Sequence, residues 1–377
     1  MHEEMIEIVK KGDQWGNEMI FRVKIPSGLE ILGLGTRNFY GGEWDLGPTW
    51  NYLVLADTPF LVDTGRSGTS QSLIEMMAYA GFSAKDLGFI MLSHGHEDHD
   101  GGLADIAKLS GADIRAHSIY KKLVTVQPDK APEKVKKHFP PSCWHCFMPD
   151  SFTEKNCLGY HRERSELTIQ NIGSADNQIS DNIYTTYLPG HSPDAISISL
   201  SDEAFLVGDN ILPGITPAPS CISFQKQLKD ILSPEDTGEY PAFGLEAYLI
   251  SLNRFQKLIC KLKPPLILPG HRLYHRDQWN LIDPQPRIAE IIDHHINRCA
   301  DILNIIKDSP KTVREIATTY FPETAIKGPG IYMAENEINS HLEFLLNNQD
   351  AQMVQENLFT GQESSHFESH IYALSES

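Results

Sequence analysis

Three imidazoles and a carboxylate fall within six residues in the stretch Ser93-His94-Gly95-His96-Glu97-Asp98-His99-Asp100-Gly101-Gly102. Neutral ring nitrogens mixed with a carboxylate oxygen make the donor set of a metal site. The apolar run Phe89-Ile90-Met91-Leu92 precedes them, and the helix-like pattern Leu103-Ala104-Asp105-Ile106-Ala107-Lys108-Leu109 follows. The donors are therefore expected on a loop at the carboxyl end of a strand, where α/β proteins build active sites. Three later segments repeat the design, an apolar strand ending in a Gly-containing turn that presents one donor. Thr185 to Gly190 leads to His191, Ala204 to Gly208 leads to Asp209, and Leu266 to Gly270 leads to His271. A fourth segment, Phe60 to Gly65, presents Asp63. A Pro-Gly-His tripeptide alone is a turn with an exposed imidazole, but this ordered series, each member after a strand, points to one assembled site.

The text His94-x-His96-x-Asp98-His99, followed in order by His191, Asp209 and His271, resembles the pattern of the metallo-β-lactamase superfamily. The resemblance implies an α/β fold, the four-layer αββα metallo-β-lactamase sandwich. Carried over residue by residue, it implies that His94, His96 and His191 bind one metal ion, that Asp98, His99 and His271 bind a second, and that Asp209 bridges them. Asp63 would orient a ligand imidazole from behind. The implied cofactors are two divalent metal ions, zinc by default, with iron or manganese accepted by the same donors according to supply. Such ions lower the pKa of a shared water to about 7. The implied reaction is attack of the bridging hydroxide on a carbonyl carbon or on phosphorus, with no side-chain nucleophile. Asp98 is the expected catalytic carboxylate, holding the hydroxide in line and shuttling its proton.

The same seven ligands make the site similar to that of glyoxalase II enzymes, which end in a different helical domain. Flavodiiron oxygen reductases carry Glu at the place of His96 and continue into a flavodoxin domain, and zinc β-lactamases usually lack the bridging Asp. This chain departs from the commoner superfamily text at Ser192-Pro193-Asp194, where a Gly often stands in place of Asp194, and at Arg272-Leu273-Tyr274. Arg272 and Tyr274 follow a ligand and are candidates to meet an anionic or aromatic substrate. Trp44 and Trp50 are candidates to line the same pocket, against the alternative that a Trp is core.

Such a site needs a scaffold, and 377 residues with 41% hydrophobic content suffice for two packed domains. No window holds the uncharged apolar run that crosses a bilayer, and the start, Met1-His2-Glu3-Glu4-Met5, is acidic where a secretory signal would be basic. Cys143, Cys146, Cys157, Cys221, Cys260 and Cys299 are too sparse for a disulfide framework. Both features suit a cytoplasmic protein. A net charge of −18 repels polyanions and works against nucleic-acid binding. The local exception is the cationic run Lys121, Lys122, Lys130, Lys134, Lys136 and Lys137, which is either a set of solvated helix faces or a contact for a phosphate-bearing substrate through Lys134 and Lys137.

Residues 1–285 read as the metallo-β-lactamase domain: strands and hairpins to about residue 65, then strands alternating with helices, the clearest helix being 243–262. Gly33-Leu34-Gly35 is followed by Asn38 rather than Gly, so it is no dinucleotide loop. Residues 118–182 read as an insertion that shapes the substrate site. Its Cys143, His145, Cys146, Cys157 and His161 match no standard zinc spacing and are taken as ordinary lid residues. Residues 286–377 turn helical: Ile288 to Ile306, a helix opened by Ser309-Pro310, a further helix through Ile338, Leu342 and Leu345, then a hairpin of Met353–Thr360 against His366–Tyr372. That order resembles the small winged-helix domain of a superfamily branch containing thioesterase-like enzymes and an endoribonuclease. The resemblance implies a binuclear hydrolase of a thioester or ester, acyl-CoA or an acyl-carrier thioester, with a phosphodiesterase or endoribonuclease as the alternative. The expected partners are a small-molecule acyl substrate and a second copy in a homodimer, with no membrane. All seven ligands lie between His94 and His271 at core strand ends, so neither insertion nor tail is expected to build the site.

Overall fold

The computed structural model of the protein describes residues 3–39, 45–124, 158–174, 177–228, 231–237, 241–262, 265–363 and 365–376. One sheet holds eight strands in chain order, β1 (Ile6–Lys10), β2 (Ile20–Lys24), β3 (Glu30–Thr36), β4 (Thr49–Leu55), β5 (Phe60–Val62), β6 (Phe89–Met91), β7 (Asp113–His117) and β8 (Ile169–Ile172). Its strands are antiparallel up to β5 and parallel from β5 onward. The second sheet is ordered β13 (Leu266–Pro269), β12 (Ala204–Gly208), β11 (Ile196–Leu200), β10 (Ile183–Tyr187) and β9 (Asn177–Ser180), with β12 and β13 as its parallel pair. A short antiparallel pair, β14 (Tyr274–His275) and β15 (Gln278–Trp279), follows β13.

Alternation along the strands sets the layers. In β4, Trp50, Tyr52 and Val54 enter the core between the sheets, while Leu53 faces the other way. In β12, Ala204 and Leu206 point inward, and Phe205 and Val207 point outward. Strands apolar on both faces must be covered on both faces. Helices α1 (Ser70–Tyr79) and α3 (Leu103–Ser110) cover the first sheet through Leu73, Met77, Leu103 and Ile106; the one-turn helix α2 (Glu97–Asp100) lies between them in the chain. Helices α4 (Ser118–Val124), α5 (Leu158–Ser165), α6 (Ile222–Gln227) and α7 (Pro234–Thr237) are short. Helix α8 (Gly244–Ile259) covers the second sheet with Tyr248, Leu249, Leu252 and Phe255, in agreement with the apolar stripe over 243–262. The section is thus helices, sheet, sheet, helices.

The last segment holds α9 (Pro284–Ile306), α10 (Val313–Tyr320), α11 (Gly330–Asn347), β16 (Ala351–Gln355), β17 (Leu358–Gly361) and α12 (Phe367–Glu376). Its Ile288, Ile291, Ile338, Leu342 and Leu345 share one apolar cluster with α8 and the second sheet. Two expectations are corrected here. The hairpin pairs β16 with β17 around Glu356-Asn357, with Asn357 in the left-handed region, and residues 367–376 are helical. Asn tolerates that backbone, and so the turn falls there. Helix α10 starts after Thr312, whose hydroxyl accepts from the Glu315 N–H (3.2 Å) while the Glu315 carboxylate accepts from the Thr312 N–H (2.8 Å). Ser309-Pro310 cannot open it, because Lys311 is still extended and its N–H donates to the Phe359 carbonyl at 2.8 Å. No helix among the described residues is long and apolar enough to cross a membrane.

A buried histidine pair joins α9 to α11. His341 Nδ1–H donates to the Glu337 carbonyl (2.7 Å), so His341 Nε2 accepts from His295 Nδ1–H (2.9 Å). Burial holds both imidazoles well below the ordinary histidine range, with Arg298 and His294 adding to it. Both stay neutral when folded, whereas the unfolded chain binds protons below about pH 6.5. Stability must therefore fall as pH falls through that window. In metal-free protein the urea midpoint should drop between about pH 7.5 and about pH 5.5, and the drop should be smaller in His341→Gln. An identical pH dependence in the variant would count against the pair.

Candidate metal centre

The candidate donors stand at strand ends from both sheets. The loop after β6 carries His94 and His96, and α2 carries Asp98 and His99; His191 follows β10, Asp209 follows β12, and His271 follows β13. Backbone hydrogen bonds register these ends across the sandwich. Trp50 N–H donates to the Gly270 carbonyl (2.8 Å), Gly270 N–H to Gly208 (2.7 Å) and Ile196 N–H to Ser93 (2.9 Å). The Tyr52 hydroxyl adds a bond to the Pro269 carbonyl at 2.7 Å.

The seven side chains converge into three overlapping clusters: His94, His96 and His191; His94, His99 and Asp209; and Asp98, His99 and His271, each with its donor atoms within 4.8 Å of one another. His96 Nδ1 lies 3.0 Å from His94 Nε2 and 3.1 Å from His191 Nε2. His271 Nε2 is 3.3 Å from His99 Nε2, 3.2 Å from Asp98 Oδ2 and 3.4 Å from Asp209 Oδ2. Asp209 reaches both groups, its Oδ1 3.4 Å from His99 Nε2 and its Oδ2 3.8 Å from His191 Nε2.

The opposite ring nitrogens explain this orientation. His191 Nδ1–H donates to the Ala218 carbonyl (2.8 Å) and His271 Nδ1–H to the Pro48 carbonyl (3.0 Å). His99 Nδ1–H donates to Asp63 Oδ2 at 2.9 Å. Ser93 gives its hydroxyl proton to Asp63 (2.7 Å), so its oxygen accepts from His94 Nδ1–H at 3.0 Å. With their protons spent outward, these four rings aim lone pairs inward. Asp63 also accepts from the Ser93 N–H (2.8 Å), and it holds this position with a backbone φ of 63°, a left-handed conformation that costs a residue with a side chain.

Converging lone pairs repel unless a cation lies between them, and Asp209 Oδ1 is buried with no hydrogen-bond donor among the described residues. The donor set therefore fits divalent metal ions. Space is reserved for it: a Cβ on Gly270 would stand 2.3 Å from Asp209 Oδ1 and 2.8 Å from the His99 ring. Without a cation, protons balance the carboxylates. Burial opposes charge on His271, yet Asp209 and Asp98 outweigh it and lift the imidazole to about 9. Burial likewise opposes charge on Asp209, but His271 and His99 hold that carboxyl well below its usual range. His94 and His191 are pushed down, chiefly by burial.

Of the substrate candidates, Arg272 sits at a φ of 61° and donates from Nε to the Asp45 carbonyl at 3.0 Å. Tyr274 lies in the cluster between the sheets with its ring against Trp279. Trp50 is fully buried against Phe21. Trp44, Lys134, Lys137, Cys143, His145, Cys146 and Cys157 lie outside the described residues. His161 is buried on α5. Two contributors were not legible in sequence. Asn38 donates from Nδ2 to Asp98 Oδ2 at 2.7 Å, and Ser93 links Asp63 to His94. Ser93 is adjacent to the motif, whereas nothing around Asn38 marks it.

The family model for the Metallo-beta-lactamase superfamily matches residues 44–271, more than half of the chain. The Lactamase-like protein nscB of Trichophyton rubrum is 27% identical over 195 residues, 49% of this chain and 48% of that protein, so the match spans about half the relative's length. Among solved structures, a metallo-beta-lactamase family protein from Thermus thermophilus superposes with a TM-score of 0.62 at 20% identity, over 89% of this chain and 99% of the other. A Beta-lactamase domain protein from Burkholderia ambifaria gives 0.55 at 16% identity over 91% of each chain. At these identities the likeness is one of fold.

Asp209→Ala removes a donor from both groups and should leave less than half the wild-type metal content by elemental analysis, whereas His96→Ala should empty one position. Gly270→Ala, which removes no donor, should also lower metal content because its methyl displaces Asp209. An Asp209→Ala protein holding two tight metals would refute the arrangement.

Proposed function

This chain belongs to the metallo-β-lactamase superfamily of metal-dependent hydrolases, and on that premise we propose that His94, His96, Asp98, His99, His191, Asp209 and His271 hold two divalent ions, zinc by default, for hydrolysis of a thioester or ester. The observation that carries this reading is the full convergent set, glyoxalase II-like in its seven members, with four ring protons turned outward. Acyl-CoA and acyl-carrier thioesters are the proposed substrate class. The order of α9, α10, α11 and the β16–β17 hairpin supports a winged-helix-like tail over 286–377, suited to homodimer contact or to closing a wall of the site.

When bound, the two ions would supply Lewis acidity, easing ionisation of a water near neutral pH and polarising the scissile carbonyl. The chain's own residues do the rest. Asp98, fixed by the Asn38 amide, is placed to hold the attacking water and take its proton. The Asn38 side-chain oxygen Oδ1 is buried without a hydrogen-bond donor among the described residues, and it offers a second fixed acceptor beside Asp98. Water oxygen bonds to the carbonyl carbon, the C–S or C–O bond breaks, and the proton leaves with the thiol or alcohol. Neither Cys221 nor Cys299 is suited to act as a thiol nucleophile, since burial pushes both up, away from thiolate.

The deciding experiment is an activity panel of acyl-CoA thioesters, a small uncharged ester and single-stranded RNA, run separately with zinc, manganese and iron. Hydrolysis of a thioester or ester is expected; cleavage of RNA alone would replace this reading with the phosphodiesterase one, against which the net charge of −18 argues. Asn38→Ala should keep both metals and lower kcat about 10-fold, the order expected for a lost hydrogen bond to a charged group. Unchanged kcat would remove Asn38 from the machinery.

A further inference from the structure

We propose that Arg164, from the 118–182 insertion, is a positioning residue that clamps the Gly95 peptide between His94 and His96 and so sets the metal position those histidines share with His191. The inference rests on the binuclear reading above and adds to it a residue that the superfamily pattern does not contain.

Gly95 separates two candidate ligands, and its peptide groups are gripped from both sides. Its carbonyl accepts from Arg164 Nη1 at 3.3 Å, and its N–H faces the Asp194 carboxylate, helping to draw that acid down against the burial that raises it. A side chain at this position would foul the grip, since a Cβ would come within 2.7 Å of the Tyr120 ring and 3.0 Å of Asp194 Oδ2. Arg164 is itself fixed. Its Nη1 lies 2.8 Å from Asp100 Oδ2 and 2.6 Å from the Tyr160 hydroxyl, and the Tyr120 hydroxyl donates to the same Asp100 oxygen at 2.7 Å. Arg164, Asp100 and Asp194 are each 2% exposed or less. A buried ion pair contributes little net stability, because desolvation cancels most of the attraction. Its retention beside the ligands fits a geometric task better than a stabilising one.

The clamp also accounts for Asp194, the residue that stands where the superfamily often has Gly. Asp194 follows His191 by three residues and Asp100 follows His99 by one, and Arg164 joins the two segments through Gly95. Among the described residues, this clamp reaches the first metal position alone. The second, at Asp98, His99 and His271, is braced by Asp63, Asn38 and the Pro48 carbonyl, all from strand ends or loops of the first sheet. On this proposal the insertion does more than shape the substrate site: through Arg164 of α5 it also braces the loop that carries two of the candidate ligands.

Zinc content after dialysis against a weak chelator, read with thermal melting, tests the clamp in three proteins: wild type, Arg164→Lys and Arg164→Met/Asp100→Asn. Wild type should keep two zinc ions. Arg164→Lys keeps the charge, but its ammonium ends one bond short of Nη1, the atom that meets Asp100, the Tyr160 hydroxyl and the Gly95 carbonyl together. It should melt near wild type and bind one of the two ions about 10-fold or more weakly. The double variant removes the unpaired buried carboxylate and should likewise hold one ion tightly. Two tight ions in either variant would show that Arg164 only balances Asp100 and would overturn the clamp. A wild type that binds no zinc would instead overturn the binuclear reading itself, and the clamp with it.

Discussion

Four imidazoles can aim lone pairs at one small volume only because each gives its proton to an acceptor outside that volume. Two backbone carbonyls, at Ala218 and Pro48, one carboxylate, at Asp63, and one hydroxyl, at Ser93, fix the tautomers. Remove these acceptors and the rings can satisfy one another by hydrogen bonding, which closes the space a cation needs. The rest of the fold serves that constraint. Parallel pairs in both sheets bring the carboxyl ends of β5, β6, β12 and β13 to one edge, and the Trp50–Gly270 and Gly270–Gly208 bonds hold those ends in register.

The site is built against local stability in identifiable places. Asp63 accepts a left-handed backbone, Gly270 forgoes a side chain, and several carboxylates and histidines sit in a low-dielectric edge. The apolar layers on both outer faces compensate, and the tail helices belong to one of them: Ile288, Ile291 and Leu342 pack in the same cluster as Phe205 and Tyr248. The Tyr248 hydroxyl in turn donates at 2.7 Å to the carbonyl of Asn210, the residue after Asp209, so the tail's packing reaches the backbone beside a candidate ligand.

The donors and their strand ends were legible in sequence because metal chemistry demands particular residue types and because a strand, a Gly turn and a donor are contiguous in the chain. The helix over Gly244–Ile259 was legible for a similar reason, a repeated apolar stripe. Contributors defined by distant contact left no such mark. Asn38 lies 60 residues from Asp98, and Arg164 lies 69 from Gly95. Asp194 was visible as a departure, but its partner was not. At the tail, local signals competed: Ser309-Pro310 has the look of a helix start, yet Thr312 with Glu315 makes the reciprocal cap, and the β-pairing of Lys311 with Phe359 delays the helix until then.

The central claim is that two ions share seven side chains, with Asp209 between them. Anomalous diffraction from crystals of the protein loaded with zinc tests it most directly. The account predicts two peaks about 3.5–4 Å apart, one among His94, His96 and His191 and the other among Asp98, His99 and His271. A single peak at full zinc occupancy, or peaks held by other side chains, would contradict it.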